Sequence, residues 1–168
     1  MSIIKDLDYQ PLADESDPDD YRPNSQWALV IDPRNDAAGF VESLALLFER
    51  MAPGDRIPLH THSIDEVIVI DEGQGEVTVG NDLKSVSSGT VVFVPAGTPH
   101  GTRNLGDGVL KLHAVFPSQE IPIRYLERNP APGTAGAPPQ PPFSLRLREL
   151  LEGDPAKAIV PTEIGSGQ

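Results

Sequence analysis

Two histidines, His60 and His62, stand one residue apart in the stretch LHTHSIDE, and Glu66 follows four positions after the second. Side chains two residues apart on a strand point to the same face, so these imidazoles can share one ion. A tight turn over residues 63–65 would return Glu66 to that face. Two histidines and a carboxylate are typical of metal sites that keep positions open for substrate or oxygen. The alternative for this stretch alone is a polar strand end.

A third histidine, His100, follows the proline- and glycine-rich stretch VPAGTP, where a neighbouring strand would begin. It could supply a fourth ligand to the same ion. The chain has no cysteine, which excludes disulfides, thiolate metal sites and a cysteine nucleophile. The remaining ligand types suit Mn, Fe, Ni, Co, Cu or Zn, so one divalent transition metal is predicted and its identity is left open.

Two further polar residues are candidates for substrate binding. Arg56 has the strand parity of His60 and could pair with a substrate carboxylate, since a guanidinium binds carboxylates through two hydrogen bonds. The alternative is a solvated arginine that follows the Pro53–Gly54 turn. Asn104 is the second candidate, as a polar residue that could line a substrate pocket.

The fourth histidine, His113, is the third candidate. It alternates along the chain with an apolar row, namely Leu110, Leu112, Ala114 and Phe116. If that row fills the interior, His113 faces outward; if the row packs outside, His113 points toward the metal. Lys111 shares the face of His113, which favours the outward orientation.

These side chains need a scaffold of strands. From residue 25 to residue 117, short β-rich runs alternate with glycine and proline turns, and no long run has helical periodicity with caps. An all-β antiparallel sandwich or barrel is therefore predicted. Phe48, Phe93 and Phe116 are expected in its core. The run EVIVID is apolar on both faces, so its outer face should be covered by an end of the chain or by a second subunit. We predict a homodimer.

The two ends differ from this middle region. Residues 1–24 carry seven acidic and two basic residues with three prolines, which predicts an irregular arm. Eight of the eighteen prolines fall in residues 117–142, which predicts an extended tail. A short helix is expected over 144–152, capped by Ser144 and ended by Gly153, with leucines along one face. The predicted division is an arm at 1–24, a β-domain at 25–117 and a tail at 118–168.

Composition excludes several classes of function. A net charge of −12 argues against nucleic acid and against anionic membrane surfaces. No stretch approaches the ~20 apolar residues of a membrane span, and we expect a soluble, cytoplasmic protein. No phosphate-binding loop, dinucleotide fingerprint or Ser–His–Asp arrangement is evident.

Two longer motifs contain the histidines. The pattern G-x5-H-x-H-x3-E-x6-G is met by Gly54, His60, His62, Glu66 and Gly73. The pattern G-x5-P-x-G-x2-H-x3-N is met by Gly89, Pro95, Gly97, His100 and Asn104. With all ten positions matched and fifteen residues between the motifs, residues 40–117 resemble a small single-domain member of the cupin superfamily. The acidic arm and the proline-rich tail lie outside the resemblance.

The resemblance implies an antiparallel jelly-roll β-barrel with a divalent metal on His60, His62, Glu66 and His100. It does not supply a reaction, because this fold hosts enzymes, ligand binders and storage proteins. We expect a metalloenzyme that acts on a small organic molecule inside the barrel. Dioxygenase chemistry is slightly favoured over isomerase, decarboxylase or lyase chemistry, and the alternative is a non-catalytic protein that binds a small ligand.

Overall fold

The computed structural model describes residues 3–12, 18–31 and 41–162. Within them the regular secondary structure is mostly β-strand, as the sequence predicts. The strands are β1 (Gln10–Leu12), β2 (Arg22–Val30), β3 (Ala45–Met51), β4 (Arg56–Thr61), β5 (Glu66–Glu72), β6 (Gln74–Val79), β7 (Asp82–Ser87), β8 (Val91–Val94), β9 (His100–Asn104), β10 (Leu110–Phe116), β11 (Glu120–Tyr125), β12 (Phe143–Arg146) and β13 (Ile159–Pro161). The helices are α1 (Leu147–Leu151) and α2 (Pro155–Ala158). None of the helices in the described ranges has the length and apolarity needed to span a bilayer.

The strands form two sheets of the jelly-roll kind. One sheet has the order β1-β2-β3-β10-β5-β8, and the other has the order β13-β12-β11-β4-β9-β6-β7. Neighbouring strands within the sheets run antiparallel. Strands distant in sequence, such as β3 and β10, therefore lie side by side, and side chains from both motifs can meet between the sheets.

Strand β10 shows how the sequence defines the interior. Its apolar row of Leu110, Leu112, Ala114 and Phe116 is buried, while the residues between them are partly exposed. Period-2 alternation of this kind places one face of a strand against the core. The row fills the interior, so His113 faces outward.

The outer face of β5 remains apolar and partly exposed. Val67 and Val69 pair with Phe93 and Val91 of the edge strand β8. Phe93, which was expected in the core, is 73% exposed. Its prediction was wrong because Val94 occupies the inner face of β8, and strand alternation turns Phe93 outward.

Both ends of the chain contribute strands. In the arm, β1 pairs with β2, although residues 1–24 were expected to be irregular. In the tail, β11 pairs with β4, and β12 and β13 extend the same sheet beyond residue 117. The division of the chain at residues 24 and 117 stays a prediction, while the two sheets extend across both positions.

The predicted helix over 144–152 is shorter than expected. Phe143–Arg146 is a strand, helix α1 spans Leu147–Leu151, and Ser144 is therefore not its cap. The alternation of Phe143, Leu145 and Leu147 is a strand signal that competes with the helical spacing of the leucines. Gly153 follows the helix with a φ of 76°, the left-handed conformation that commonly terminates helices.

Asn104 holds together the turn that joins β9 to β10. Its side-chain amide donates to the carbonyl oxygens of Met51 and Gly108, both at 2.9 Å, and its oxygen accepts from the amide of Gly106 at 2.9 Å. The residue is 1% exposed. Because loss of this side chain would leave buried backbone groups unpaired, Asn104 has a structural role.

We expect Asn104→Ala to lower the free energy of unfolding by about 3 kcal/mol, since each of three hydrogen bonds contributes about 1 kcal/mol. Urea denaturation followed by circular dichroism measures this loss. The control is Asn81→Ala, because Asn81 is exposed in the turn between β6 and β7. Equal stabilities of the two variants would contradict the role of Asn104.

Candidate metal centre

Three strands bring the four predicted ligands together. His60 lies near the end of β4, His62 follows that strand, Glu66 begins β5 and His100 begins β9. His60 and His100 are cross-strand partners in the pairing of β4 with β9. Close approach of these strands depends on Gly101, because a Cβ atom there would lie 2.9 Å from the carbonyl oxygen of Ile57.

Hydrogen bonds join the turns of the two motifs. The Asp65 carboxylate accepts from the amide of Ala96 at 2.8 Å, and the amide of Gly97 donates to the carbonyl of His62 at 2.6 Å. Gly97 adopts a φ of 78°, which is readily accessible only to glycine. These contacts fix the turn that leads to His100 against the turn that leads to Glu66.

One ligand atom from each of His60, His62, Glu66 and His100 lies within 4.8 Å of all the others. The Nε2 atoms of His60 and His62 are 3.1 Å apart, and Glu66 Oε2 lies 2.7 Å from His100 Nε2 and 3.6 Å from His62 Nε2. Two ligands at right angles around an ion, each at about 2.1 Å, would be about 3.0 Å apart. The cluster therefore has the dimensions of a metal site.

Backbone carbonyls set the tautomer of each histidine. The Nδ1–H groups of His60, His62 and His100 donate to the carbonyls of Pro58 at 2.8 Å, Pro122 at 2.7 Å and Thr98 at 2.9 Å. A carbonyl only accepts, so each Nδ1 carries the proton and each Nε2 presents a lone pair to the cluster. Such outer hydrogen bonds orient the histidines of metal sites.

The residues fit a cation for a second reason. Glu66 Oε2 and His100 Nε2 are buried side-chain atoms without a hydrogen-bond partner in the described part of the chain. They lie at ion-pair distance, and in the neutral Nδ1–H tautomer of His100 neither of these two atoms carries a hydrogen. Buried polar atoms without partners are costly, and a metal ion would satisfy both.

The surroundings favour the neutral imidazoles that metal binding needs. Burial, reinforced by the neighbouring His100 and His62, lowers the pKa of His60 well below its usual value. Burial also lowers the pKa of His62, although the Glu66 carboxylate opposes that shift. These two ligands therefore stay deprotonated, and able to bind metal, at lower pH than a free histidine.

All four ligands line a cavity of about 220 Å³ between the sheets. Apolar side chains dominate its wall. From the first sheet these are Leu12, Trp27, Leu47, Ile68, Leu112, Ala114 and Phe116. From the tail they are Ile121, Ile123, Phe143, Leu145, Leu147, Leu150 and Ile159. The ligand cluster thus faces a largely apolar cavity with room for a small organic molecule.

Sequence reasoning missed the tail as a wall of this cavity. The signal available was the alternation of Phe143, Leu145 and Leu147, which indicates a strand with one buried face. It also missed Arg22 and Glu49, two buried charged residues that line the cavity. No local spacing identifies them, because they lie on different strands.

Arg56 does not line the cavity. It donates to the Glu127 carboxylate at 3.2 Å and to the carbonyl of Arg128 at 3.1 Å. The register of β4 against β9 shifts between Ile57 and His60, so both of these residues line the cavity. This irregularity breaks the parity that linked Arg56 to His60, and a substrate contact of Arg56 stays a prediction.

His113 and Asn104 also lie outside the cavity wall. His113 Nδ1 is 2.9 Å from an oxygen of Asp71, and its ring contacts that of Phe48. Phe48, which was expected in the core, pairs with His113 across the strands and is likewise on the outer face. The side chain of Asn104 forms its hydrogen bonds at the turn between β9 and β10. The buried apolar row directs His113 outward and three hydrogen bonds hold Asn104, so a substrate contact of either residue stays a prediction.

Two antiparallel sheets that enclose three histidines and a glutamate define a class of all-β proteins with a cluster able to hold a metal. Residues 47–116 match the cupin domain family. This stretch is therefore a cupin domain.

Sequence relatives cover part of the chain. Uncharacterized protein MJ1618 of Methanocaldococcus jannaschii is 36% identical over 76 residues, which are 44% of this chain and 58% of that protein. Germin-like protein 1-1 of Oryza sativa subsp. japonica is 36% identical over 96 residues, which are 54% of this chain and 43% of that protein. The chain spans about half the length of the curated relatives it matches.

Solved structures share the fold. The polyketide cyclase RemF from Streptomyces resistomycificus superposes with a TM-score of 0.61 at 18% identity, over 83% of this chain and 94% of that one. Oxalate decarboxylase from Bacillus subtilis superposes with a TM-score of 0.53 at 20% identity, over 64% of this chain and 29% of that one. At these identities the likeness concerns the fold.

The lowered pKa values predict a pH dependence for the metal-free protein. An unfolded histidine binds a proton near pH 6.5, whereas folded His60 and His62 resist protonation. The unfolded state therefore takes up more protons as the pH falls below about 6.5, and stability falls by up to about 1.4 kcal/mol per pH unit for each histidine. Urea denaturation at pH 7.5, 6.5 and 5.5 should show this slope. His60→Gln should flatten it, and a slope unchanged in that variant would contradict the assignment.

Proposed function

We propose that this protein is a metal-dependent enzyme that acts on a small, largely apolar organic molecule. The observation that carries the proposal is the position of the ligand cluster, whose four side chains form part of the cavity wall. A purely structural metal site is normally closed by four cysteine or histidine ligands in a tetrahedron. A site that faces a cavity leaves room for a substrate beside the ion.

The metal would be held by His60, His62, Glu66 and His100. A bound divalent ion would act as a Lewis acid on a substrate oxygen and, if redox-active, would give access to O2 chemistry. The donor set suits Mn, Fe, Ni, Co, Cu or Zn. Oxalate decarboxylase of Bacillus subtilis, which shares the fold, has Mn(II) centres, and this supports manganese as the first ion to test.

The protein's own residues have three roles in this proposal. The carbonyls of Pro58, Pro122 and Thr98 hold the imidazoles in the binding tautomer. The apolar wall binds the body of the substrate and excludes water. Exclusion of water lowers the local dielectric constant and strengthens interactions between the site and a polarised oxygen.

Dioxygenase chemistry is the reaction class that we favour, ahead of isomerase, decarboxylase and lyase chemistry. Sulfur-free ligands are compatible with redox-active Fe or Mn, and four protein ligands leave positions for both substrate and oxygen. A reaction without oxygen is the second candidate. It is supported by the buried Glu49 carboxylate in the cavity wall, which could accept a proton, and RemF, which shares the fold, is a polyketide cyclase.

An oxygen electrode separates these reactions from non-catalytic binding. Protein loaded with Fe(II) or Mn(II) is mixed with enediols, diketones and flavonols, and products are followed by mass spectrometry. Oxygen uptake with oxygenated product supports a dioxygenase, and turnover without oxygen uptake supports an isomerase, decarboxylase or lyase. A compound that binds the metal-loaded protein and is recovered unchanged would support the non-catalytic alternative.

We expect the purified protein to bind about one transition-metal ion per chain, and His60→Ala to reduce occupancy at least tenfold, because it removes one of four ligands. Elemental analysis after dialysis against each metal measures occupancy. His113→Ala is the matched control, since that histidine faces outward and should keep full occupancy. Equal occupancies in the two variants, or no metal in the unaltered protein, would overturn the metal site.

We also propose that a second copy of the chain covers the outer face of β5 and β8. Val67, Val69, Val91 and Phe93 form an apolar patch there. In the described ranges the arm strand β1 lies at the opposite edge of the sheet, and β11–β13 belong to the other sheet. Each copy has a net charge of −12, so two copies repel each other over most of their surface. Electrostatic repulsion is weakest at this uncharged apolar patch, which favours association there.

Phe93→Glu should convert the dimer into a monomer, because it places a charge in the centre of the patch. Size-exclusion chromatography with light scattering gives the mass of each species. Leu83→Glu is the control, because Leu83 is 56% exposed on β7 of the other sheet. A monomeric unaltered protein, or a dimeric Phe93→Glu variant, would refute this interface.

A further inference from the structure

A buried ionic network forms a second polar region of the cavity wall, apart from the metal ligands. The Arg22 guanidinium donates to the Asp20 carboxylate through Nε at 2.8 Å and Nη2 at 2.6 Å. It also donates to the Glu49 carboxylate through Nη1 at 2.6 Å and Nη2 at 3.3 Å. All three residues are less than 9% exposed and line the cavity.

The network is anionic as a whole. Two carboxylates and one guanidinium have a net charge of −1 when all three are ionised. Although burial alone would lower it, the pKa of Arg22 is raised well above its usual value by Glu49 and Asp20, so the guanidinium stays charged. A buried carboxylate such as that of Glu49 is stabilised by a further hydrogen-bond donor that reaches it.

Glu49 has acceptor capacity left over. Each of its two oxygens accepts one hydrogen bond from Arg22, whereas a carboxylate offers about four lone-pair sites. Its neighbours across the sheet, Trp27 and Leu112, also line the cavity. The remaining acceptor sites of Glu49 are therefore in an apolar wall that a ligand can reach.

The cavity contains another sign of a polar ligand. Thr102 Oγ1 is buried without a hydrogen-bond partner among the described residues, and Thr102 is 1% exposed in the cavity wall. Thr102 lies two residues after the metal-ligand candidate His100, on the same face of β9. Unpartnered polar atoms inside proteins are uncommon, and a ligand with more than one polar group would satisfy this one.

The two polar regions are close enough for one small molecule to contact both. Glu49 and Arg22 line the same cavity as the four ligand candidates. The cavity of about 220 Å³ exceeds the ~150 Å³ of a protein cavity that takes up benzene. A molecule of two fused rings is therefore of suitable size.

We propose that Glu49, held by Arg22, is a specificity-determining residue that accepts a hydrogen bond from a hydroxyl or amino group of the substrate. The substrate class is a ring-containing apolar compound with an oxygen at one end, directed to the metal cluster, and a hydrogen-bond donor at the other. This inference rests on the proposed function and adds the substrate class to it.

The test compares two probes that differ at one end. 2,6-Dihydroxynaphthalene offers a donor at both ends, and 6-methoxy-2-naphthol has one end methylated. Isothermal titration calorimetry on the Mn(II)-loaded protein gives both dissociation constants. We expect the dihydroxy compound to bind at least about tenfold more tightly, because hydrogen bonds to charged acceptors are among the stronger ones. Binding without this preference, or no binding of either probe, would overturn the proposal.

Glu49→Gln should reduce the preference to about threefold or less, mainly through weaker binding of the dihydroxy compound. Glu127→Gln is the matched control, because it disrupts the exposed pair of Glu127 with Arg56 outside the cavity, and it should keep the preference. A preference unchanged in Glu49→Gln would assign the network a purely structural role. If Glu49→Gln does not fold, the comparison of the two probes on the unaltered protein still tests the proposal.

Failure of this proposal is distinguishable from failure of the metal site. His60→Ala should weaken both probes together, because each presents a naphthol oxygen to the metal cluster, and it should leave their ratio unchanged. Loss of metal occupancy in His60→Ala with an unchanged ratio supports both the metal site and the role of Glu49. Full metal occupancy without any preference between the probes would refute the role of Glu49 alone.

Discussion

Three hydrogen bonds from imidazole Nδ1 atoms to backbone carbonyls determine what this interior can do. Because the carbonyls of Pro58, Thr98 and Pro122 fix the protons on Nδ1, the Nε2 lone pairs converge on one another and on the Glu66 carboxylate. Acceptors this close repel each other in a low-dielectric interior. This arrangement of ligands is favourable only with a positive charge at its centre. Without that charge, the sheets must be rigid enough to hold the four ligands together.

That stiffness comes from ordinary features of the fold. The missing side chain of Gly101 lets β9 approach β4, and Asp65 joins the two turns that deliver Glu66 and His100. Asn104 holds the far end of β9. None of these residues is a metal-ligand candidate. Each nevertheless restricts the movement of the strands and turns that carry the ligands.

Local spacing made the ligand cluster predictable. His60, His62 and Glu66 lie within seven residues, and period-2 geometry with one turn is enough to bring them together. Arg56 failed the same parity test because the register of β4 shifts after Ile57, an irregularity that alternation cannot reveal. The network of Arg22 and Glu49 was missed for a different reason. Its members are 27 residues apart in sequence, and only the pairing of β2 with β3 brings them together.

The Pro122 carbonyl shows that residues outside the family-matched segment help to form the site. Family similarity ends at residue 116, and all four ligand candidates lie before that point. The acceptor that orients His62 lies beyond it, as do Phe143, Leu145 and Leu147 of the cavity wall. The segment that matches the family, residues 47–116, is therefore shorter than the segment that determines the chemistry of the site. Proteins that share the former and differ in the latter can keep the same ligands while diverging in metal affinity and in the molecules they admit.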